Sequence, residues 1–152
     1  MDIAILGTGR VGGALGMRWA HKRHKIVYGA LKQDSEEVLD VLKTSVAPLD
    51  GKILLDCINP IKPDFSGLDP ASAPSATQHI VECAPGASVV KAFNTISDAT
   101  MVNPLYHGKG ASMFYCGDDE EAKSVVRQLT EDLEMEPVDA GPLGNAAYLE
   151  SL

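Results

Sequence analysis

Apolar residues follow two rhythms along this chain. In "DIAIL" (2–6) they form an almost unbroken run, as in a strand buried on both faces of a parallel sheet. From Arg10 to about Arg23 the spacing changes: Val11, Ala14, Leu15 and Trp19 recur at helical intervals. "KIVYG" (25–29) predicts a second short strand. "DSEEVLDVLKTSV" (34–46) predicts a helix with Val38, Val41, Leu42 and Val46 on one face and Asp34 or Ser35 as its cap. "GKILLDCI" (51–58) predicts a third strand. The next segment, 59–78, is rich in Pro, Ser and Asp, and reads as a long surface loop. It leads into a short helix ending near Ala84-Pro85-Gly86. Loops of that length are often functional. Strands follow at 88–94 and 112–117, then a helix with Asp118 as its N-cap and an apolar stripe of Ala122, Val125, Val126, Leu129 and Leu133. A strand at 135–140 and a helix in "GNAAYLESL" complete the pattern. Strands alternating with helices predict an α/β fold, an open and mostly parallel sheet with helices on both faces.

The junction of the first strand and helix carries the strongest chemical signal. "GTGRVG" (7–12) has the spacing G-x-G-x-x-G, and its strand–turn–helix setting is the one a dinucleotide site requires. Gly7 would allow the tight turn. Gly9 would let main chain approach a pyrophosphate, and Gly12 would let helix and strand pack closely. The helix N-terminus offers free N–H groups and partial positive charge. Thr8 could add a hydroxyl donor. An acid at the end of the second strand would select NAD through the ribose hydroxyls, and none occupies positions 28 to 32. Lys32 could face a 2′-phosphate, or be a solvated lysine. NADP is therefore favoured over NAD. Ligands bind beyond the carboxyl ends of strands in such sheets, where "DCINP" places Asn59 and "KAFNTI" places Asn94 and Thr95. Their amides could orient a nicotinamide or a second ring, or simply close turns. Lys91, inside the strand before Asn94, reads as an exposed residue and is given no catalytic role.

Composition narrows the classes further. The 152 residues suit a single domain spanning 1–152. A net charge of −8 argues against a nucleic-acid surface. The densest basic stretch, Arg18 to Lys25, reads as the solvated end of the first helix. No apolar run is long enough to span a membrane, and no leader peptide is visible, so a cytoplasmic protein is expected. Cys57, Cys83 and Cys116 read as buried apolar filler, and the four histidines lack metal-ligand spacing.

Five blocks resemble, in order, those of the coenzyme F420-dependent NADP oxidoreductase family, to which the reductase domain of the STEAP metalloreductases is related. They are "IAILGTGRVGGALG", "GKILLDCINPI", "PGASVVKAFNTI", "MFYCGDDEEAK" and "EPVDAGPLGNAAYLE". The resemblance implies a Rossmann-type fold, NADPH at the glycine turn, and hydride transfer between nicotinamide and a deazaflavin (F420) or a flavin such as FMN. It implies that Gly7, Thr8, Gly9, Arg10 and Val11 form the phosphate turn and that Asn94 lines the redox cleft. It also implies a small-molecule redox acceptor and a homodimer. Three features depart from the family. Ala30 and Leu31 stand where Ser-Arg usually holds the 2′-phosphate. About one helix–strand unit is absent after "GALKQDS". The chain stops at Leu152, with Gly144 and Ala147 where arginines are frequent. A competing expectation is a nucleotide-binding module without catalysis, sensing redox state or serving as a partner domain. A third is a degraded reductase that binds poorly.

Overall fold

A computed structural model gives the fold and describes residues 1–7, 9–29 and 49–152. Thr8, Lys32, Ala30, Leu31 and the helix expected at 34–46 lie outside the described residues.

Strand β1 (Asp2–Leu6) runs into helix α1 (Arg10–His21), and the chain returns as β2 (Lys25–Gly29), parallel to β1. Expected to be buried on both faces, β1 instead alternates: Ile3 and Ile5 are half-buried, while Ala4 and Leu6 are exposed. Among the described residues β1 and β2 pair only with each other, and α1 packs against both.

A four-stranded sheet forms the centre, in the order β3 (Ile53–Asp56), β4 (Ser88–Ala92), β7 (Ser112–Gly117), β8 (Glu136–Asp139). β3 and β4 are parallel, as are β7 and β8, but β4 and β7 are antiparallel. The sheet is therefore mixed where a mostly parallel one was expected. The reversal follows from the connection. After β4 the chain makes only the short α3 (Asp98–Val102) and a small hairpin of β5 (Leu105–Tyr106) and β6 (Lys109–Gly110). A parallel return needs an element that carries the chain back across the sheet, usually a long helix, and this connection makes none.

Helices cover both faces. Period-two alternation along β4 sends Val90 and Ala92 to one side, where they meet Trp19 of α1 and Val126 of α4 (Glu120–Asp132). Val89 points the other way, onto Ile80 of α2 (Ala76–Cys83). Beside it Cys116 packs on Ala146 and Leu149 of α5 (Ala146–Glu150). The main core centres on Trp19, edge-on to Phe93 with ring centroids 5.7 Å apart.

Several local readings shift. β3 spans only Ile53–Asp56, because Gly51 turns at φ +67 before it and the Asp56 carboxylate accepts from Ile58 N–H after it. β4 ends at Ala92, since Phe93 adopts φ +62. The cap of α4 is Asp119, which accepts from the N–H groups of Glu121 and Ala122. Asp118 accepts from Leu143 N–H instead. The basic stretch is not simply solvated. Arg18 donates to Leu133 O and Glu134, and His24 Nε2 lies 2.8 Å from Asp132, tying α1 to the end of α4.

Candidate functional site

The glycine turn has the geometry its sequence predicts. Gly7 takes φ +96, a conformation that L side chains rarely adopt, and its N–H donates to Gly29 O at 2.9 Å. A Cβ on Gly12 would lie 2.4 Å from Gly7 O and 3.0 Å from Ile5 Cγ2, so only glycine permits this approach of α1 to β1. A Cβ on Gly9 would meet nothing within 4 Å. Gly9 is also the N-cap of α1, and no side chain caps the first turn. No acid of α1 sits in that turn either. The arrangement fits a phosphate group: a helix terminus with free donors, facing the space left by an absent side chain.

Arg10 opens α1 and reaches across to α3, donating from Nε and a terminal nitrogen to Asp98 at 2.8 and 2.9 Å. The bonded Arg10 guanidinium holds the Asp98 carboxyl below the usual carboxylate range, and Arg10 itself is pushed further up. Val11 follows on α1 and packs, half-buried, against the main core. The pair links the glycine turn to the segment just beyond Asn94 and Thr95.

The structure brings Asn59 and Asn94 together. Asn59 Nδ2 donates to Asn94 O at 2.6 Å, and Asn94 Nδ2 donates to Asn59 Oδ1 at 2.9 Å and to Leu149 O at 2.8 Å. Both protons of the Asn94 amide are thus used. Among the described residues its buried Oδ1 has no hydrogen-bond partner, and neither has Thr95 Oγ1. Orphaned polar atoms are rare in protein interiors, and an acceptor left open fits a ligand that carries a donor.

Sequence reasoning misplaced Lys91. Its side chain is 0% exposed. Nζ donates to Asp56 Oδ2 at 2.9 Å, to Glu150 Oε1 at 3.2 Å, and to Ile58 O. Thr77 Oγ1 lies 2.6 Å from Asp56 Oδ2 and 3.1 Å from Glu150 Oε1, its one proton shared between the two carboxylates, and Glu150 also accepts from Ala76 and Thr77 N–H at the start of α2. Each ammonium proton has an acceptor, so the buried charge is fully satisfied. Register carried a signal that could have found this cluster. Asp56 and Lys91 are direct partners on adjacent parallel strands, one acid and one base at matching depth. Glu150, 59 residues further on, gave no such hint.

Gly144 and Ala147, the positions where the family's arginines are frequent, line a cleft of about 180 Å³ with Pro74, Thr77, Gln78 and Leu143. None of the glycine-turn residues borders it. Among the described residues, no group of His, Cys, Asp and Glu could hold a metal ion, and no helix is long and apolar enough to cross a membrane.

No family model matches the chain. Metalloreductase STEAP3 of Rattus norvegicus is 31% identical over 105 residues, which cover 68% of this chain and 20% of that protein. The chain thus spans about a fifth of the length of that relative. A crystal structure of a candidate F420-dependent NADP reductase from Arthrobacter sp. FB24 superposes with a TM-score of 0.78 at 26% identity. The match covers 99% of this chain and 89% of the other. A hypothetical protein of Sinorhizobium meliloti gives 0.76 at 27% identity, covering 95% and 86%. More distant is the NADP-bound pyrroline carboxylate reductase of Plasmodium falciparum, with a TM-score of 0.57 at 14% identity over 91% and 56%. It shares the Rossmann-like fold. In sequence the chain is similar to part of a STEAP metalloreductase, and in sequence and fold to a candidate F420-dependent NADP reductase.

Proposed function

We propose that this chain is an NADP(H)-dependent oxidoreductase that exchanges hydride with a small-molecule acceptor, a deazaflavin of the F420 type or a flavin. The observation that carries the reading is the uncapped start of α1 behind Gly9, with open space where a side chain would stand. The oxidoreductase relatives support it.

When bound, the nicotinamide supplies or takes up the hydride. The protein's part is to bind and orient. Backbone donors of α1 would hold the diphosphate, with Gly7 and Gly12 fixing the turn that presents them. Arg10 stands at the same helix start, where its pairing with Asp98 ties the turn to α3. Asn94 Oδ1 offers an acceptor to a carboxamide N–H, and Thr95 Oγ1 offers a hydroxyl. No general acid or base is required of the chain, because proximity and orientation supply most of the rate in hydride transfer. The choice of NADP over NAD rests on the absence of an acid at positions 28 to 32.

The test is to mix the protein with NADPH and either F420 or FMN and follow nicotinamide oxidation by absorbance. A rate above that of heat-inactivated protein is expected. Tight NADPH binding with no turnover on either acceptor would replace this reading by that of a non-catalytic dinucleotide module.

A further inference from the structure

The buried cation of β4 touches neither the glycine turn nor open solvent, yet its bonds end one residue from Asn59 and one residue from Leu149, whose carbonyl bonds Asn94. Ile58 is gripped at both ends. Its N–H donates to Asp56 Oδ1, and its carbonyl accepts from Lys91 Nζ. Asn59 is the next residue. On the other side, Lys91 Nζ bonds Glu150, and Leu149, just before it, supplies the carbonyl that takes a proton of the Asn94 amide. The two asparagines then bond each other. The network closes a ring through β3, β4 and α5, and the polar atom it leaves free is the buried Asn94 Oδ1.

We infer that Lys91, with Asp56 and Glu150, is the positioning residue of the nicotinamide half of the site: the triad sets the Asn59–Asn94 pair so that Asn94 Oδ1 faces the cofactor ring as an acceptor. The inference rests on the dinucleotide reading above. It goes beyond it by assigning a role to a buried lysine that carries no part of the phosphate turn. A purely structural clamp would not need its bonds to converge on one asparagine whose two amide protons are spoken for and whose oxygen is left open. Holding both Nδ2 protons in place prevents the amide from flipping, so the ring meets an acceptor and never a donor.

The test separates the two halves of the cofactor. Calorimetry measures NADPH and 2′-phospho-ADP-ribose, which lacks the nicotinamide, on the same full-length protein. The wild type is expected to prefer NADPH. Lys91→Met alone would strand two buried carboxylates, so the variant used is Lys91→Met with Asp56→Asn, which removes the pair together and leaves Glu150 on the backbone donors of α2. That variant is expected to bind 2′-phospho-ADP-ribose within about twofold of wild type. Its preference for NADPH falls about tenfold, as for one lost buried hydrogen bond. Thr77→Val, which keeps every charge and removes only the hydroxyl bonds to Asp56 and Glu150, moves the ratio in the same direction by about threefold. An unchanged ratio in these variants, or equal weakening of both ligands, overturns the positioning role. Equal affinity of the wild type for both ligands overturns it too while leaving the phosphate turn standing. Binding of neither ligand by the wild type removes the dinucleotide reading itself.

Discussion

Two neighbouring glycines of α1 should respond in opposite directions to the same methyl group. At Gly13 a Cβ meets nothing within 4 Å, so Gly13→Ala gains the helix preference of alanine, about 1 kcal/mol. At Gly12 the methyl would lie 2.4 Å from Gly7 O, roughly 1 Å inside a normal contact, and 3.0 Å from Ile5 Cγ2. The carbonyl cannot swing aside cheaply. It belongs to a residue at φ +96 whose N–H is bonded to Gly29 O. Overpacking of this kind costs about 1–3 kcal/mol, which outweighs the same helical gain and leaves Gly12→Ala destabilised by about 1 kcal/mol. In a domain of this size the melting temperatures should move by roughly 2–4 °C each, upward for Gly13→Ala and downward for Gly12→Ala. Thermal unfolding followed by circular dichroism reads both. Gly12→Ala should also weaken NADPH binding, because the displaced turn carries the phosphate donors. Equal melting temperatures for the two variants, or a stabilised Gly12→Ala, would refute the claim that α1 packs on β1 through that glycine.

Other sites give independent checks. Arg10 holds the Asp98 carboxyl below the usual carboxylate range, so the pair's stabilisation is complete above the unfolded carboxyl value near 4 and is lost as pH falls through the lower folded one. Urea midpoints of wild type and Asp98→Asn should therefore differ at pH 7 and converge at strongly acid pH; a constant gap would contradict the pairing. Trp19→Phe removes the Nε1 donor that lies 3.0 Å from Leu129 O and leaves a cavity beside Phe93. A loss of about 2 kcal/mol is expected in urea unfolding, and a loss under about 0.5 kcal/mol would mean that the indole is not anchored there. Burial pushes the Cys57 thiol up to about 12, with the neighbouring Asp56 carboxylate adding to the effect, and burial pushes Cys116 up to about 11. Iodoacetamide at pH 8 should not label the buried Cys116 until urea is added and should label the half-buried Cys57 only slowly, and mass spectrometry of the native protein showing rapid labelling of either would refute the assignment.

The parts of the fold legible in the sequence are those written by local rules. β1, β2 and β7 keep their expected bounds, because short runs of apolar and β-branched residues stand between turn signals. The Gly12 contact was readable because close helix–strand packing leaves a local signature. What escaped reading depends on distant partners. A lysine in "SVVKAFN" looks solvent-facing until Asp56 and Glu150 close over it, 35 and 59 residues away in the chain. The N-cap of α4 fell one residue later than expected because two aspartates compete, and Leu143 N–H claims the first. The reversed β7 has no sequence signature, since the hairpin that turns the chain is only two residues per strand. Within the site, Asn59 and Asn94 were visible as strand-end residues, whereas their mutual bonding and the open Asn94 oxygen emerge only from the fold.

The most direct measurement concerns Gly9. A Cβ there meets nothing within 4 Å among the described residues, and Gly9 already holds extended backbone at φ −68, so Gly9→Val should melt close to wild type. Calorimetric titration should show wild type binding NADPH more tightly than NADH, and Gly9→Val binding neither. A flat titration of the wild type, or equal NADPH affinity in both proteins, would contradict the claim that the main chain at this turn receives the diphosphate.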